Sequence, residues 1–386
     1  MHFKQPHQHH KILPQELLFI TLPLLFLTAY IYTAVRLQRI LPHTMGLRIV
    51  LILLFVLGIA GMILFFTAGQ KMPIALAGGL YRFSTSWLIA FLYLFIFVML
   101  IDIFRLLNVA FHLIDRETIH VIFSNNIATS ITVFGLVALL LLLGNIRYHH
   151  KEREPIEIVT HKIEKPVRIV GISDLHIGYT ISAREVAKWV KLINAEKPDM
   201  VIIAGDIIDN HLRVVMKDSV EAVLQQIDAP MGVYSCTGNH DLLFAVKEDA
   251  GFYKRSGITL LRDSSFTLDG ITLIGRDDYT NRRREPLQSI MEQVDRSGFT
   301  LLLEHQPHHL DETVENEIDF QFSGHTHRGQ VFPASLIADR LFELSHGYMQ
   351  KEKTHFYVSS GIGIWGGKFR IGTRSEYLVL DLKPAN

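Results

Sequence analysis

Cysteine is nearly absent from this chain, and so is an excess of charge of either sign. Its 386 residues contain one cysteine, Cys236, which excludes an internal disulfide framework. Cys236 ends a short apolar run, so we interpret it as a small buried core residue rather than a reactive one. Lysine and arginine number 38, as do aspartate and glutamate, and the formal net charge is zero. A balanced chain gives no sign of a nucleic-acid surface, and we expect no nucleic-acid partner.

Apolar residues are concentrated before residue 147, although they make up 49% of the whole chain. Each of four apolar segments (17–35, 49–68, 87–107 and 127–143) is long enough to cross a bilayer, which needs about 20 residues. They predict a four-helix transmembrane domain over residues 17–146. A polar, histidine-rich tail is expected at residues 1–16, and we favour a solvated segment there over a metal-capturing one. Since further apolar segments follow the first, we expect that one to be a retained anchor rather than a signal peptide.

The charges that flank the four predicted spans bear on the orientation of the chain. With four spans, both ends of the chain lie on one side of the membrane. Seven basic residues belong to that side: Lys4, Lys11, Lys71, Arg82, Arg147, Lys151 and Arg153. Five belong to the other side: Arg36, Arg39, Arg48, Arg105 and Arg116. The positive-inside rule therefore favours a cytoplasmic C-terminal part. We expect a multi-pass protein of a bacterial-type plasma or inner membrane.

Residues 147–165 are charged and contain Pro155, and we predict that they form a linker between the membrane region and a domain over residues 166–386. Strand and helix patterns alternate in that domain. Helices are predicted at 182–195, 212–227, 242–256 and 285–296, the first with a capping box of Ser182 and Glu185. Beyond residue 257 the apolar runs shorten, so a pair of mixed sheets is favoured over one parallel sheet.

Polar motifs follow several of the predicted strands. They are Asp174-Leu175-His176, Gly205-Asp206-Ile207-Ile208-Asp209, Gly238-Asn239-His240-Asp241, His305 and Gly324-His325-Thr326-His327. The carboxyl ends of strands meet at one edge of a sheet, so these side chains are expected to lie together. Carboxylates and imidazoles with one amide oxygen and no thiolate suit Mn, Fe or Zn. The set is too large for one ion, and two divalent metal ions that share a carboxylate suit phosphoryl transfer.

In this order the motifs D-x-H, G-D-x-x-D, G-N-H-D, H and G-H-x-H resemble those of the calcineurin-like metallophosphoesterases. The resemblance covers about residues 166–386 and implies an α/β (α+β) four-layer sandwich, in which two packed sheets carry helices outside and the metals lie at one sheet edge. It implies a first metal held by Asp174, His176, Asp206 and His327. It implies a second metal held by Asp206, Asn239, His305 and His325. Asp206 would be the bridging ligand.

The same resemblance suggests roles for the residues around the metals. His240 would be the general acid or a phosphate ligand, Asp241 would orient it, and Asn239 would also contact substrate. Asp209 is expected to shape the loop without touching a metal. Arg328, next to His327, is interpreted as either a phosphate contact or a solvated charge.

A glycine-rich stretch near residues 357–370 carries aromatic and basic side chains. It is either an ordinary turn of the sheet or a lip beside the metals. In the second case Lys368 and Arg370 would meet substrate charge, while Trp365 and Phe369 would meet acyl chains. The stretch resembles the membrane-attached branch of the family, some members of which cleave the pyrophosphate of UDP-2,3-diacylglucosamine.

These patterns predict a membrane-bound phosphoesterase that hydrolyses a phosphodiester or pyrophosphate bond in a lipid-linked substrate, such as a UDP-2,3-diacylglucosamine-like lipid or a phospholipid. The argument for a lipid is that a phosphoesterase acting on soluble substrates needs no membrane spans. The alternative is a membrane sensor or transporter whose phosphoesterase domain acts on a soluble phosphodiester. That alternative predicts polar groups inside the helical bundle, and the spans contain few.

Overall fold

The computed structural model describes residues 15–249 and 251–385. The histidines of the predicted tail lie outside the described residues. The chain divides into two units by its internal packing. The first unit comprises the described residues up to 59 together with residues 87–138, and the second comprises residues 60–86 together with the chain from residue 139 onward. The second unit holds all of the strands that the structure describes.

Five helices precede the strands: α1 (Gln15–Ile40), α2 (Met45–Ala68), α3 (Ile74–Phe111), α4 (Arg116–Phe123) and α5 (Ile127–His149). Within the described residues, three stretches are long and apolar enough to cross a membrane: Met45–Lys71, Ile74–Phe111 and Ile127–His149. The first expected span lies within α1, whose side chains are described from residue 21 onward. A total of four spans therefore stays a prediction.

Aromatic packing and one ionic cluster characterise the first unit. The Tyr30 hydroxyl donates to the Phe55 carbonyl at 2.6 Å and accepts from Trp87 Nε1 at 2.8 Å. The Asp102 carboxylate pairs with Arg36 and lies 3.8 Å from Arg105. Because its charge is balanced locally, Asp102 is accommodated among apolar helices.

Two six-stranded sheets form the framework of the second unit. The first contains, in spatial order, β1 (Lys151–Thr160), β12 (Ser375–Pro384), β2 (Val167–Ile172), β3 (Met200–Ala204), β4 (Val233–Cys236) and β5 (Ile258–Leu260). The second contains β10 (Gly347–Lys351), β11 (Thr354–Val358), β9 (Phe320–Ser323), β8 (Phe299–Leu303), β7 (Ile271–Gly275) and β6 (Ser264–Leu268). Strands β2 to β5 are mutually parallel, as are β7, β8, β9 and β11. β12 is antiparallel to β2, β10 to β11 and β6 to β7, so both sheets are mixed, as predicted.

The layers follow from where the apolar side chains lie. Side chains of both sheets, such as Ile169 and Leu301, share one buried cluster between the sheets. Helix α6 (Ala183–Ala195) covers the outer face of the first sheet, with Trp189 in a second cluster. Helix α11 (Leu287–Met291) covers the outer face of the second sheet. The order helix, sheet, sheet, helix is that of a calcineurin-like α/β fold.

Several predicted elements differ from the structure. The expected linker 147–165 contains β1, because Ile156 and Ile158 alternate with charged residues and turn one face toward the buried core. The expected helix 212–227 is two short helices, α7 (Leu212–Lys217) and α8 (Val220–Leu224), because Ser219 between them has a left-handed backbone, with φ of 53°.

The remaining helices are short. The expected helix 242–256 is a π-helical turn, Asp241–Ala245, followed by α9 (Val246–Glu248) and α10 (Phe252–Arg255). Helices α12 (Leu310–Glu315) and α13 (Ala334–Leu341) complete the set. Ser182 precedes α6 as expected, but its side chain makes no capping bond. The predicted capping box is wrong, because the Glu185 carboxylate instead binds the Tyr148 hydroxyl and Lys368.

Candidate metal centre

All five polar motifs follow strands whose carboxyl ends converge. Asp174 and His176 follow β2, Asp206 follows β3 and Asn239 follows β4. On the second sheet, His305 follows β8, while His325 and His327 follow β9. The expectation of one sheet edge is therefore corrected, because the edges of both packed sheets supply these side chains.

The backbone of this region is unusual for residues other than glycine. Five of the expected ligands have φ between 45° and 68°: Asp174, His176, Asp206, His325 and His327. Such left-handed conformations cost on the order of 1–3 kcal/mol each and cluster at functional sites. The surrounding structure therefore holds these side chains against their local preference.

Two glycines of the motifs allow close approach of the loops. A Cβ atom at Gly238 would lie 2.1 Å from Asp206 Oδ1, and one at Gly324 would lie 2.3 Å from Asp174 Oδ2. Neither distance is compatible with a side chain. The glycines preceding Asn239 and His325 are therefore required because the carboxylates of neighbouring motifs pack directly on them.

One group of donors forms around Asp174. His176 Nε2 and His327 Nε2 lie 3.1 Å apart, and His327 Nε2 lies 3.5 Å from Asp174 Oδ1. Asp206 Oδ2 is 3.7 Å from His176 Nε2. Asp174, His176 and Asp206 are almost completely buried.

A second group forms on the other side of Asp206. His305 Nε2 lies 3.2 Å from both Asp206 Oδ2 and Asn239 Oδ1. His325 Nδ1 lies 3.0 Å from the same amide oxygen. His305 Nδ1 donates to the Ala204 carbonyl at 2.7 Å, which leaves Nε2 as the nitrogen that faces the site. Asp206 thus belongs to both groups, as expected of a bridging ligand.

Burial and charge shift the ionisation of these donors in opposite directions. Burial would raise the pKa of Asp206, but the His305, His240 and His176 side chains hold that pKa well below its usual range. Burial, together with the neighbouring His305, lowers the pKa of His325 to about 4. Burial and His176 likewise lower the pKa of His327 well below its usual range. Deprotonated carboxylates and neutral imidazoles are the forms that bind divalent metals, so the shifts of Asp206, His325 and His327 favour metal binding. At His305, burial would lower the pKa, but Asp206 and Asp174 raise it well above its usual value, so a metal there would displace a proton.

The donor set fits a metal on structural grounds. Three groups bring ligand atoms within 4.8 Å of one another: Asp174, His176 and His327; Asp174, Asp206 and His305; and His176, Asp206 and His240. In the part of the chain that the structure describes, Nδ1 of His176 and of His327 is buried without a hydrogen-bond partner. A bound cation would offset the negative charge of these buried carboxylates and give the imidazole nitrogens a partner.

His240 lies at the edge of this centre and is oriented differently from the prediction. Its Nδ1 donates to the Asp209 carbonyl at 2.6 Å, so Nε2 is the nitrogen left for a substrate. The Asp241 carboxylate instead accepts from the main-chain N–H groups of Ile207 at 3.1 Å and Gly238 at 3.0 Å. The expectation that Asp241 orients His240 is therefore corrected. Asp241 links the loop at Ile207 to the loop at Gly238, and the Asp209 carbonyl orients the His240 imidazole.

Burial and the charge of Asp206 raise the pKa of Asp241 to about 6. Asp209 itself is nearly inaccessible, with one carboxylate oxygen 3.6 Å from His176 Nδ1 and 3.6 Å from His240 Nδ1. Its expected place beside the metal ligands agrees with this geometry.

Two of the expected substrate contacts serve the fold instead. Arg370 is buried, donating from Nη1 to the His327 carbonyl at 2.8 Å and from Nη2 to the Gly363 carbonyl at 3.0 Å. Lys368 is committed to Glu185. The predicted substrate contacts of Arg370 and Lys368 are corrected for the same reason, because each side chain is already bound to other groups of the protein. Trp365, expected in the same lip, is partly exposed.

Arg328 remains available to a ligand. Its side chain is 41% exposed, and its ion pair with Asp339 is loose at 3.9 Å. Sequence reasoning missed another charged residue, Glu304, which precedes His305 and is buried between Arg276 at 2.9 Å and Arg284. A carboxylate at the end of an apolar strand was the signal for this support.

The fold of the second unit and this donor set resemble those of metallophosphoesterases. Residues 167–329 match the sequence model described as calcineurin-like phosphoesterase. A metallophosphoesterase of Helicobacter pylori is 33% identical over 235 residues, which are 59% of this chain and 63% of that protein. A transmembrane protein with metallophosphoesterase domain of Danio rerio is 32% identical over 252 residues, or 60% of this chain and 57% of the other.

A metallophosphoesterase of Aquifex aeolicus is 26% identical over 258 residues, covering 63% of this chain and 97% of that protein. The chain spans less than two thirds of the length of the Helicobacter pylori relative, 63%. The apolar helices and the transmembrane relative together indicate that the protein is associated with a membrane.

Proposed function

We propose that this protein is a membrane-bound, metal-dependent phosphohydrolase that cleaves a phosphodiester or pyrophosphate bond in a lipid-linked substrate. The observation that carries the proposal is a cavity of about 620 Å³ beside the His327 loop, one wall of which is the last two turns of α5. The substrate we favour is a phospholipid or a nucleotide lipid resembling UDP-2,3-diacylglucosamine. The loop charges counted above favour a cytoplasmic site in a bacterial-type inner membrane.

The proposed cofactors are two divalent ions, Mn, Fe or Zn. Asp174, His176 and His327 would hold one, Asn239, His305 and His325 the other, and Asp206 would hold both. When bound, such a pair lowers the pKa of water and offsets the charge of a phosphoryl group.

His240 supplies the proton in the proposed reaction. The Asp209 carbonyl fixes Nδ1, and the ring stays 19% exposed, so Nε2 is accessible to a ligand. A protonated imidazole there can donate to the oxygen that leaves the phosphorus, which is general acid catalysis. Asp241 keeps Gly238 and Ile207 in place and thereby fixes the loop from which His240 projects.

The cavity is amphipathic in a way that suits a lipid phosphate. Leu140 and Leu143 of α5, a candidate membrane span, give it an apolar wall. Arginines also line the cavity, and Arg147 and Arg374 are already paired with Glu152. Arg328 has only its loose contact with Asp339, so it is the cation we assign to the substrate phosphate.

Replacing Arg328 by alanine tests this assignment. A charged hydrogen bond at a partly exposed site is worth about 1.5 kcal/mol, so kcat/KM for a lipid in mixed micelles should fall about tenfold relative to that for bis(p-nitrophenyl) phosphate. Purified full-length protein with Mn²⁺ is assayed on both substrates. Arg283→Ala removes an exposed arginine away from the cavity and serves as the matched control. If the ratio of the two activities is the same in both variants, the lipid proposal is wrong.

A further inference from the structure

Part of the apolar helical region is built into the phosphoesterase unit. Residues 60–86, which comprise the last turns of α2, the connection and the first turns of α3, belong to that unit. The sequence predicts a span only from residue 87, but α3 begins at Ile74 and has 38 residues, about 57 Å at 1.5 Å per residue. Such a helix exceeds the roughly 30 Å of a bilayer core. Its first turns are therefore free to contact the enzyme, and we call residues 60–86 the hairpin.

Aromatic rings bind the hairpin to the loop that follows His176. Phe65 and Tyr81 of the hairpin lie 4.5 Å apart between ring centroids, and Phe65 lies 5.2 Å from Tyr179. All three are buried. Arg82 Nη1 also donates to the Tyr179 carbonyl at 2.9 Å.

Arg213, in α7 just beyond Asp209, completes the attachment. Its guanidinium donates to the Gly69 carbonyl at 2.8 Å, the Met72 carbonyl at 3.0 Å and the Tyr179 hydroxyl at 2.8 Å. These carbonyls belong to the turn that follows α2, in which a 3-10 helix, Gly69–Lys71, is capped by Met72. One cation therefore ties the hairpin to two of the loops that carry residues of the metal centre, those that follow β2 and β3.

Unpartnered polar atoms lie at the centre of this contact. Among the described residues, the Tyr81 hydroxyl, both Asp209 carboxylate oxygens and His176 Nδ1 are buried without a hydrogen-bond partner. The Tyr81 ring lies 6.1 Å from the Tyr179 ring, between centroids, and the Asp209 carboxylate lies 3.6 Å from His176 Nδ1. Buried polar groups normally bond one another, so a small adjustment satisfies all three. Tyr81 and His176 then donate to one carboxylate.

We propose that Tyr81 is a positioning residue: its hydroxyl fixes Asp209, whose carboxylate orients the metal ligand His176 and whose carbonyl orients His240. The inference rests on the proposed metal-dependent function. The apolar hairpin is then a part of the active-site support as well as an anchor. Partners of this kind change metal affinity about 10–100-fold when they are removed.

Tyr81→Phe in the full-length protein tests the proposal, since the ring is kept and only the hydroxyl is lost. The apparent affinity for Mn²⁺, measured by calorimetric titration, should fall at least tenfold. With bis(p-nitrophenyl) phosphate, kcat should fall about tenfold while KM and the Tm of the metal-free protein stay unchanged. Tyr30→Phe, which removes a buried hydroxyl bonded to Phe55, is the matched control and should leave Mn²⁺ affinity as in the wild type.

A double-mutant cycle with Asp209→Asn separates positioning from general loosening. If Tyr81 acts through Asp209, the double variant should bind Mn²⁺ no more weakly than Asp209→Asn alone. Wild-type affinity in Tyr81→Phe, or losses that multiply in the double variant, would overturn the proposal. The Mn²⁺ titration does not depend on turnover, so the two proposals can fail separately. If the protein binds Mn²⁺ but hydrolyses no phosphoester, the proposed function is refuted, while the role of Tyr81 is still decided by the Mn²⁺ affinities of the variants.

Discussion

Gly238→Ala should misplace the carboxylate that both groups of metal donors share. The new Cβ would lie 2.1 Å from Asp206 Oδ1 and 2.4 Å from the Asp206 backbone nitrogen. Real Cβ contacts begin at 3.0 Å, so the carboxylate or the loop has to move by about 1 Å. A misplacement of about 1 Å at a catalytic centre costs roughly 10²-fold in rate.

The variant is assayed for kcat on bis(p-nitrophenyl) phosphate and for bound metal by elemental analysis. We expect a loss of about 10²-fold in kcat together with a lower metal content. Gly135→Ala is the control, because a Cβ at that position in α5 meets nothing within 4 Å. Wild-type turnover and metal content in Gly238→Ala would refute the assignment of Asp206 as the shared ligand.

Two further predictions concern His240 and Glu376. His240→Ala should lower the rate about 10² to 10⁴-fold for an alkoxide leaving group and much less for nitrophenolate, since only the poorer leaving group needs a proton; equal losses would indicate phosphate binding instead. Burial would raise the pKa of Glu376, but His346, the Ser360 N–H and Arg374 lower it to about 2 from its ordinary 4.5. Its contribution to stability, about 3 kcal/mol, is present above pH 4.5 and is lost as the pH falls toward 2. In acid titrations followed by circular dichroism, Glu376→Gln should be less stable at neutral pH and less pH-dependent below 4.5; a slope like the wild type contradicts this.

The ligand positions were predictable because the signal is local. Each motif directly follows an apolar run, and a strand that ends at a sheet edge places whatever comes next at that edge. Asp174, Asp206 and His305 could be assigned for this reason without knowing how the strands pair.

The supporting residues were not predictable, because their partners are distant in sequence. From the sequence, Arg370 resembles a surface cation beside glycines, yet it donates hydrogen bonds to the carbonyls of residues 327 and 363. Asp241 looks like the partner of adjacent His240, but it bonds the loop at Ile207. Tyr81 lies between the second and third predicted spans, where the sequence indicates only a connection between helices. Tertiary packing decides each of these roles.

The pairing of β1 also has a consequence for the order in which the chain folds. β1 lies at the end of the first sheet, and its neighbour, β12, is synthesised roughly 220 residues later. At 5–20 residues per second, β1 leaves the ribosome some 10–45 s before that neighbour exists. Pro155 and the alternating charges of Lys151, Glu152, Arg153 and Glu154 are features that keep an unpaired edge from joining other chains. The strand β1, which the sequence indicates as a linker, is therefore suited to remain unpaired without aggregating until β12 is synthesised and pairs with it.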